Sequence, residues 1–400
     1  MNNVILVLNA GSSSIKFGIF ATGVGDDTLT PGYRGQIANI GRHAHFEVTR
    51  IHHDTDEKLV DTELLVADHE AALQALLAWF QEHATHLNFI AVGHRVVHGG
   101  TIFSTPVSID AKVLEMLEAL VPLAPLHQPH NIAAIKAFSR IDAEVLQVAC
   151  FDTAFHRSMP AVAQSFALPR TLTAEGVRPY GFHGLSYEHI ASVLPNDQKS
   201  GTEDRVIVAH LGHGASLCAM IGRRSVATTM TFTPLDGLPM STRCGSIDPG
   251  VLLYLMNEKG WTPDIVSDLL HNKSGLLGMS GVSGDMRELL ASNDPHSAEA
   301  VDLFVYRVVR EIGSLAAAAG GLDMLVFTGG IGEHSNIIRE QICQPLSWLG
   351  VQIDSSANAA GKSQISRQDS LVSVRVIPAD EELVIAKHAY AMAQSITRRK

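Results

Sequence analysis

Two arginines that stand beside glycine turns could hold an anion. Arg95 lies in the segment GHRVVHGG (93–100), and Arg243 lies in the segment STRCG (241–245). A guanidinium binds a carboxylate or a phosphoryl group through two parallel hydrogen bonds, so this pair could neutralise charge during phosphoryl transfer. For each arginine taken alone, a structural salt bridge is the alternative.

Acidic side chains follow two strand-like segments. Asp152 comes after the apolar segment 145–151, and the acidic residues 380–382 come after segment 374–378. Mg²⁺ takes one or two carboxylates together with phosphate oxygens and water, so acids at strand ends suit a nucleotide site. Charge at a helix N-terminus explains residues 380–382 nearly as well, and both interpretations stay open here.

Glycine-rich turns follow three apolar segments. They lie at 9–16 (NAGSSSIK), 210–216 (HLGHGAS) and 328–335 (TGGIGEHS). Backbone N–H groups, hydroxyls and a lysine at such a turn can bind a polyphosphate, and glycine lets the backbone approach it closely. The first two turns share one strand-and-loop pattern, which predicts two related halves, each with its own phosphate loop.

Alternating strands and helices must position these residues. Strand-like patterns occur at 4–8, 45–48, 58–60, 89–92, 145–148, 206–209, 325–327 and 374–377. One helix is predicted after an N-cap at Asp68, and another is predicted over 298–319 with a stop at Gly320. This alternation predicts an α/β fold.

Composition narrows the class of protein. The 400 residues are 46% hydrophobic and 18% charged, which suits two globular domains, and the net charge of −11 argues against a nucleic-acid partner. Without a low-complexity linker, any boundary near residue 150 is expected to be a tight hinge. The sequence predicts no signal peptide and no membrane span, and its four scattered cysteines predict a reducing, cytoplasmic location.

Histidines and one lysine-containing loop offer weaker signals. His94 and His98 have i, i+4 spacing, but an arginine stands between them and two glycines follow, so zinc is disfavoured. His183, in the aromatic segment 180–184, could wall a small pocket, although such a histidine is more often structural. The segment 356–363 ends like a Walker A loop but begins with serine instead of glycine, which predicts a helix end or a loop.

Ten segments, taken in order along the chain, resemble motifs of the acetate kinase family, within the acetate and sugar kinase, Hsp70 and actin superfamily. The segments are 9–17, 93–100, 122–127, 151–156, 180–184, 210–216, 242–243, 274–278, 327–335 and 377–382. This resemblance covers nearly the whole chain. It implies two ribonuclease H-like (actin-like ATPase) domains with a nucleotide cleft between them. The implied domains are residues 1–150 with 383–400, and residues 151–382.

The resemblance also implies a chemistry and a set of site residues. The implied reaction is reversible phosphoryl transfer from ATP to acetate, with Mg²⁺ (or Mn²⁺) as cofactor and a homodimer as the assembly. The implied catalytic residues are Arg95, Asp152, Arg243, His183 and His127. The implied metal ligands are Asn9 and Glu381. The implied phosphate and nucleotide residues are Asn9, Ser12, Ser14, Lys16, His210, Gly212, His213, Gly214, Gly330, Ile331, Gly332 and His334. The implied acyl pocket is Arg95, Val97, Leu126, Phe182 and Pro234.

Some positions depart from the family pattern. His213 and His334 stand where the family usually has asparagine, and three residues around Arg243 also differ. A histidine can still donate one hydrogen bond to phosphate, and a stronger one when protonated. We therefore expect these changes to affect nucleotide affinity and pH dependence while leaving the arginines and acids in place.

Two other functions are considered. The first is a propionate kinase. Propionate kinases resemble acetate kinases closely but tend to have a smaller residue at the position of Val97, so Val97 favours acetate as the substrate. An actin-like or Hsp70-like nucleotide switch would need no pair of arginines beside a small apolar pocket, and no separate peptide-binding region follows the nucleotide core.

Overall fold

A computed structural model describes residues 2–11, 14–23, 28–41, 43–52, 55–195 and 204–398. The chain divides into two compact units: unit 1 is Met1–Ala154 with Asp380–Lys400, and unit 2 is Phe155–Ala379. Within the described ranges, no helix has both the length and the apolar character needed to span a membrane.

Strands and helices alternate along most of the chain. The strands are β1 (Asn2–Ala10), β2 (Ser14–Thr22), β3 (Leu29–Ala38), β4 (Ala44–Arg50), β5 (Glu57–Leu64), β6 (Leu87–Val96), β7 (Val107–Ser108), β8 (Leu146–Phe151), β9 (Arg205–Leu211), β10 (Ala215–Ile221), β11 (Arg224–Thr228), β12 (Met324–Thr328) and β13 (Ser373–Val376). The α-helices are α1 (His69–His83), α2 (Ala111–Ala119), α3 (Gln128–Ile141), α4 (Arg170–Ala174), α5 (Gly184–Val193), α6 (Pro249–Asn257), α7 (Pro263–Asn272), α8 (Gly275–Ser280), α9 (Met286–Ala291), α10 (Pro295–Ala319), α11 (Gly329–His334), α12 (Asn336–Cys343), α13 (Ser355–Ala359) and α14 (Glu381–Thr397). Short 3₁₀ helices occur at Val121–Leu123, Ala154–Ser158, Ala161–Gln164 and Gln344–Leu349.

Unit 1 is built on one sheet, whose described strands have the order β5-β4-β3-β2-β1-β6-β8-β7. Strand β1 is antiparallel to β2 and parallel to β6, and β6 is parallel to β8. Helices α1 and α3 pack on one face of the central strands, and α14 packs on the other. The apolar run 4–8 is therefore buried throughout, as is typical of strands covered on both faces.

The helix predicted after Asp68 is confirmed as α1. The Asp68 carboxylate accepts a hydrogen bond from the backbone N–H of Ala71 at 2.9 Å, which satisfies one of the free donors at the helix start. The predicted apolar stripe is buried, and Phe80 meets Phe17 of β2 edge to face, with ring centroids 5.6 Å apart. This stripe forms the part of the core that packs against β2.

Unit 2 repeats the central part of this topology. Its described strands have the order β11-β10-β9-β12-β13, with β9 antiparallel to β10 and parallel to β12, which is parallel to β13. The helix predicted over 298–319 is confirmed as α10, which begins earlier because Asp294 caps it and Pro295 suits its first turn. It ends where Gly320 adopts a φ of 72°.

The two sheets therefore share a central arrangement. In each, the first strand of a hairpin is the central strand, and two parallel strands follow it on the side away from its hairpin partner. In each unit the hairpin loop follows the central strand, closed by the pair Ala10–Ile15 in unit 1 and by Leu211–Ala215 in unit 2. The α/β fold predicted from sequence is confirmed, and its two related halves have their counterpart in these two sheets.

Candidate active site

An ion cluster forms where the central strands of unit 1 end. The guanidinium of Arg95, in β6, donates to both carboxylate oxygens of Asp152 at 3.0 and 2.6 Å and to the side-chain oxygen of Asn9 at 3.3 Å. Its Nε lies 3.7 Å from a carboxylate oxygen of Glu381. One arginine thus joins the ends of β1, β6 and β8 to the start of α14.

Close packing between β6 and α14 brings Glu381 to this cluster. A Cβ at Gly93 would lie 2.4 Å from a methyl carbon of Ile385, so the helix can approach the strand only because position 93 is glycine. The helix start is set by Asp380, whose carboxylate accepts from the backbone N–H of Leu383 at 2.9 Å. Asp380 therefore confirms the helix-cap interpretation of residues 380–382, and the next residue, Glu381, faces Arg95.

Electrostatics favour a charged Arg95. Burial alone lowers the pKa of Arg95, but the charges of Asp152 and Glu381 and the hydrogen bonds to Asp152 outweigh it and raise that pKa overall. Nearby, burial raises the pKa of Glu382 to about 7; Asp380 adds to this effect and Lys16 opposes it. Arg95, Asp152 and Glu381 together carry one formal negative charge in excess, which suits a cation.

The side-chain oxygens of this cluster are suitable ligands for a hard divalent ion. Asn9 offers an amide oxygen, and Glu381 offers a carboxylate that is only partly engaged by Arg95. Carboxylate and amide oxygens are the ligands that Mg²⁺ takes in proteins, usually with phosphate oxygens and water completing the shell.

The first phosphate loop leaves β1 beside this cluster. Asn9 lies directly opposite Lys16 in the hairpin register, and the loop is closed by a hydrogen bond from the Gly11 N–H to the Ser14 carbonyl at 2.8 Å. Ser12, which the sequence also assigns to this loop, lies outside the described residues. The amide, the ammonium and Ser14 thus belong to one turn.

Buried amides hold the segment that follows Arg95. Asn131 accepts from the Val97 N–H at 3.0 Å and donates to the Ala10 carbonyl at 2.8 Å, so a single side chain ties this segment to the first phosphate loop. Val97 is buried, whereas Leu126, also predicted for the acyl pocket, is 47% exposed. His127 occupies the N-cap position of α3.

Unit 2 contains a cavity of about 850 Å³ beside its own hairpin loop. This volume is in the range of small-molecule sites. Its wall includes Gly212, His213, Thr242, Gly330, Ile331 and His334. The second and third glycine turns predicted from sequence therefore border one cavity.

His213 and His334, the two histidines that depart from the family pattern, both line this cavity. The ring of His213 reaches solvent, yet crowding by surrounding protein atoms lowers its pKa, as does the charge of Arg243, while Asp285 acts in the opposite direction. A neutral imidazole at position 213 can donate one hydrogen bond.

A buried arginine supports the third glycine turn. Arg339 donates to the Gly332 carbonyl at 2.9 Å and to the side-chain oxygen of Asn358 at 2.8 Å, and its side chain is almost fully buried. Asn358 belongs to the segment that resembles a Walker A loop. As predicted, that segment forms a helix, α13, and the loop after it.

Arg243 is held within unit 2 by neutral groups. It donates to the carbonyl of Pro234 at 3.2 Å and contacts the sulfur of Met240 at 3.7 Å. Gly275, with a φ of 62°, lies directly against the backbone of Arg243, since a Cβ there would come within 2.7 Å of the Arg243 carbonyl oxygen.

His183 and His210 form a stacked pair of imidazoles with ring centroids 4.4 Å apart. His183 has a φ of 57°, an uncommon backbone conformation for a residue other than glycine, at the point where α5 begins. A Cβ on Gly214 would lie 3.2 Å from Nε2 of His183 and 3.8 Å from an amino nitrogen of Arg243. The second phosphate loop therefore runs directly beside both side chains.

Comparison with known proteins identifies the family. The Acetokinase family matches residues 4–387 of the chain. The chain belongs to the acetokinase family. It is similar to the acetate kinase of Rhodopseudomonas palustris (strain TIE-1), with 52% identity over 397 residues, covering 98% of this chain and 99% of that relative.

Solved structures of similar proteins share the fold of this acetokinase. A propionate kinase from Francisella tularensis subsp. tularensis SCHU S4 matches with a TM-score of 0.89 and 36% identity, covering 97% of this chain and 99% of that chain. The acetate kinase of Porphyromonas gingivalis matches with a TM-score of 0.85 and 35% identity, covering 98% and 99%. The actin-like ATPase fold expected from sequence is thus confirmed.

Sequence reasoning missed several residues of this acetokinase that contact the predicted site. Ser216 contacts His183, Ser186 contacts His210, and Tyr187 contacts Ser216. Tyr187 follows His183 by one helical turn, and Ser216 lies opposite His210 in the hairpin register. These two spacings are the signals by which both residues could have been found.

Proposed function

We propose that this acetokinase is an acetate kinase, which transfers the γ-phosphoryl group of ATP to acetate and gives acetyl phosphate and ADP. The observation that carries the proposal is the match of the Acetokinase family to residues 4–387, because that range includes every predicted site residue in both units. The same match favours a kinase over an actin-like or Hsp70-like switch.

The chemistry needs no base to generate the nucleophile. Acetate is ionised at neutral pH. One of its oxygens forms a bond to the γ-phosphorus, the bond from that phosphorus to the bridging oxygen breaks, and the electron pair leaves with ADP. Catalysis then consists of positioning two anions and cancelling their repulsion.

Arg95 supplies part of that cancellation in the proposed mechanism. The guanidinium donates two hydrogen bonds to Asp152 and a third to Asn9, and these fix it before an anion arrives. A pre-oriented group loses little freedom on binding, so its charge acts where the acceptor or the phosphoryl group develops charge. Asp152 is therefore assigned the role of orienting Arg95.

Asn9 and Glu381 are assigned to the metal. Their oxygens and the surplus negative charge of the cluster fit Mg²⁺, with Mn²⁺ as an alternative. When bound, the ion would neutralise charge on the phosphate oxygens of the nucleotide. Lys16, Ser14 and Ser12 are proposed to contact those phosphates from the first loop.

The cavity of unit 2 is assigned to the nucleotide. Gly212, Gly214, Gly330, Ile331 and Gly332 would present backbone to ATP, as glycine turns do toward phosphates. His210, His213 and His334 would donate hydrogen bonds from their rings. Arg243, His183 and His127 are proposed to contact the transferring group.

The acyl pocket is proposed to comprise Val97, Leu126, Phe182 and Pro234. Val97 and Phe182 are buried, and Phe182 is held by its carbonyl, which accepts from His156 at 2.9 Å. One methylene in an apolar pocket is worth about 1 to 3 kcal/mol, so propionate is expected to be a slower substrate that is not excluded.

A homodimer is proposed, with helix α6 at the contact between copies. Residues 249–257 are mostly apolar, yet none is buried, and Leu253 and Tyr254 are 57% and 52% exposed. An apolar helix without a buried residue is a common mark of a protein contact. Light scattering of the Leu253→Asp variant, which should be monomeric, tests this assignment.

A reducing, cytoplasmic location is also proposed. All four cysteines are free thiols, and burial raises the pKa of Cys218 and of Cys343 to about 12. Protonated, buried thiols fit a protein that uses no disulfide.

Trapping of acyl phosphate as a hydroxamate tests the function directly. Purified protein with Mg²⁺ is assayed with acetate, propionate and butyrate, each against ATP and GTP. We expect acetate with ATP to give the highest kcat/KM, with propionate lower by roughly 10- to 200-fold. Absence of acyl phosphate from all three acids would refute the proposal, and a higher kcat/KM for propionate would replace acetate with propionate.

A further inference from the structure

Tyr187, Ser216 and His183 form a continuous hydrogen-bonded chain in unit 2. The Oγ of Ser216 lies 2.8 Å from Nδ1 of His183 and 2.5 Å from the hydroxyl oxygen of Tyr187. Ser216, in β10, and Tyr187, in α5, are both completely buried. The chain therefore begins in the core and ends at the imidazole that borders the second phosphate loop.

The direction of these hydrogen bonds decides which nitrogen of His183 carries the proton. A phenol is a stronger donor than acceptor because its oxygen lone pair is delocalised into the ring. If Tyr187 donates to Ser216, the Ser216 hydroxyl donates to Nδ1 of His183. A neutral imidazole that accepts at Nδ1 carries its hydrogen on Nε2.

A second histidine of the same unit, His156, also contacts a serine through Nδ1, and here the direction of the hydrogen bond is determined. Nδ1 of His156 lies 2.8 Å from the hydroxyl of Ser225, and its Nε2 lies 2.9 Å from the carbonyl of Phe182. A carbonyl only accepts, so Nε2 of His156 carries the hydrogen and Ser225 donates to Nδ1. Burial lowers the pKa of His156 to about 4, which keeps this ring neutral.

The surroundings of His183 also favour a neutral ring. Nε2 of His183 and an amino nitrogen of Arg243 lie 3.2 and 3.8 Å from the position of a Cβ on Gly214. The stacked ring of His210, whose Nδ1 is 2.8 Å from the hydroxyl of Ser186, faces His183 from β9. The charge of Arg243 disfavours a second positive charge beside it, and a neutral ring that accepts at Nδ1 donates from Nε2.

We propose that Tyr187 and Ser216 are positioning residues that hold His183 in the Nε2–H tautomer, aimed at the phosphoryl group beside Gly214. This inference rests on the proposed phosphoryl transfer for the identity of the anion. His183 then donates one hydrogen bond to the transferring group without carrying a charge, and Arg243 supplies the positive charge. Gly214 has no side chain, so the space between the two donors stays open to an anion.

Kinetics of the variants Ser216→Ala and Tyr187→Phe test the role. At pH 8 we expect kcat to fall about tenfold in Ser216→Ala and less in Tyr187→Phe, the loss expected for one neutral hydrogen bond, with KM for ATP nearly unchanged. At pH 6 the deficit should shrink, because an imidazolium carries a hydrogen on Nε2 with or without the serine. A merely structural role would leave the ratio of variant to parent kcat independent of pH.

Ser225→Ala is the matched control. It removes a serine–histidine hydrogen bond of the same length from an equally buried serine, at a histidine whose other nitrogen is already engaged. We expect lower thermal stability and the parental pH profile of kcat. An equal, pH-dependent loss in Ser225→Ala would overturn the assignment, because it would show that any such bond has this effect.

The tautomer is measured directly by long-range ¹H–¹⁵N correlation of protein labelled at histidine, with the His183→Gln spectrum identifying the resonance. In the parent protein we expect Nδ1 of His183 to be unprotonated and Nε2 to be protonated. In Ser216→Ala we expect a mixture of the two tautomers. A protonated Nδ1 in the parent overturns the proposal even if the variants fail to fold. If the protein makes no acyl phosphate, the proposed function fails, while this spectrum still decides the tautomer.

Discussion

The two units use the same hairpin for different electrostatics. At the mouth of the unit 1 loop, the directly opposed pair is Asn9 and Lys16; at the mouth of the unit 2 loop, it is His210 and Ser216. The fold fixes where these pairs stand, while the side chains decide what the turn offers. Unit 1 offers an amide and an ammonium, and unit 2 offers an imidazole and a hydroxyl.

The arginines differ in the same way. Arg95 is fixed by a buried carboxylate at 2.6 Å, whereas Arg243 donates to a carbonyl and contacts a thioether. A carboxylate orients a guanidinium firmly but neutralises much of its charge. One scaffold thus yields an ion cluster in unit 1 and, in unit 2, a cavity bordered by two glycine turns.

The largest expected effect comes from removing either arginine. We expect Arg95→Ala and Arg243→Ala each to lower kcat by about 10³-fold or more, as is typical of an arginine that stabilises a phosphoryl-transfer transition state. Lysine at either position should recover little activity, because it lacks the planar fork. Steady-state assays with circular dichroism as a folding control measure this, and near-parental kcat in both alanine variants would contradict the proposed roles.

A smaller effect should distinguish the role of the ion cluster in unit 1 from that of the cavity in unit 2. We expect Glu381→Gln to raise the Mg²⁺ concentration for half-maximal activity by at least the roughly 10- to 100-fold that loss of an outer-shell partner costs. His213→Asn, in the cavity, is the control and should leave Mg²⁺ saturation unchanged. Equal Mg²⁺ dependence in Glu381→Gln and the parent would remove Glu381 from the metal site.

A still smaller effect is expected from restoring the usual residue of the second loop. Crowding by surrounding protein atoms and the charge of Arg243 lower the pKa of His213, so its ring gains charge only at a pH below the usual range of histidine. The KM for ATP of the parent should therefore decrease as the pH is lowered into that range, by about two- to tenfold. In His213→Asn this decrease should be absent; its persistence would assign the pH dependence to another group.

The smallest effect on catalysis, with a clear effect on stability, is expected at His94. Burial lowers the pKa of His94 to about 4, so the unfolded chain binds more protons than the native protein between pH 6.5 and 4. Stability from this group is complete above pH 6.5 and is lost as the pH falls to about 4, by up to about 3 kcal/mol.

The variant His94→Gln should reduce this acid-dependent loss, since glutamine can also donate to Gln147, which His94 contacts at 2.8 Å. Thermal melting at pH 7.5, 6 and 5 measures the difference. An unchanged slope of melting temperature against pH would mean that other histidines account for the acid sensitivity.

The sequence was most informative where local chemistry decides the structure. Asp68 was identified as a cap because aspartate accepts from free N–H groups, and Gly320 as a stop because it tolerates a positive φ. Strands β1, β4, β5, β6, β8, β9, β12 and β13 were found from apolar or alternating segments. These features depend on neighbours along the chain, so they can be inferred from the sequence itself.

Contacts between distant segments could not be predicted in this way. Nothing in the sequence pairs Arg95 with Asp152, or Arg339 with Asn358, because each pair is joined only by the packing of separate elements. The assignment of Glu381 came from a family resemblance, while spacing alone left a helix cap equally possible. Ser216 and Tyr187 were missed because hydroxyls buried in a sheet and a helix usually serve only to satisfy the core.

Packing at Gly93, in the interior of unit 1, determines where Glu381 lies. Any larger residue there would collide with Ile385 and push the final helix outward, carrying the glutamate at its first turn away from Arg95. A mutational scan that measures only loss of turnover would then score Gly93 like a catalytic residue, although glycine has no side chain that could react. Second-site changes that shorten Ile385 are where such a defect should be repaired.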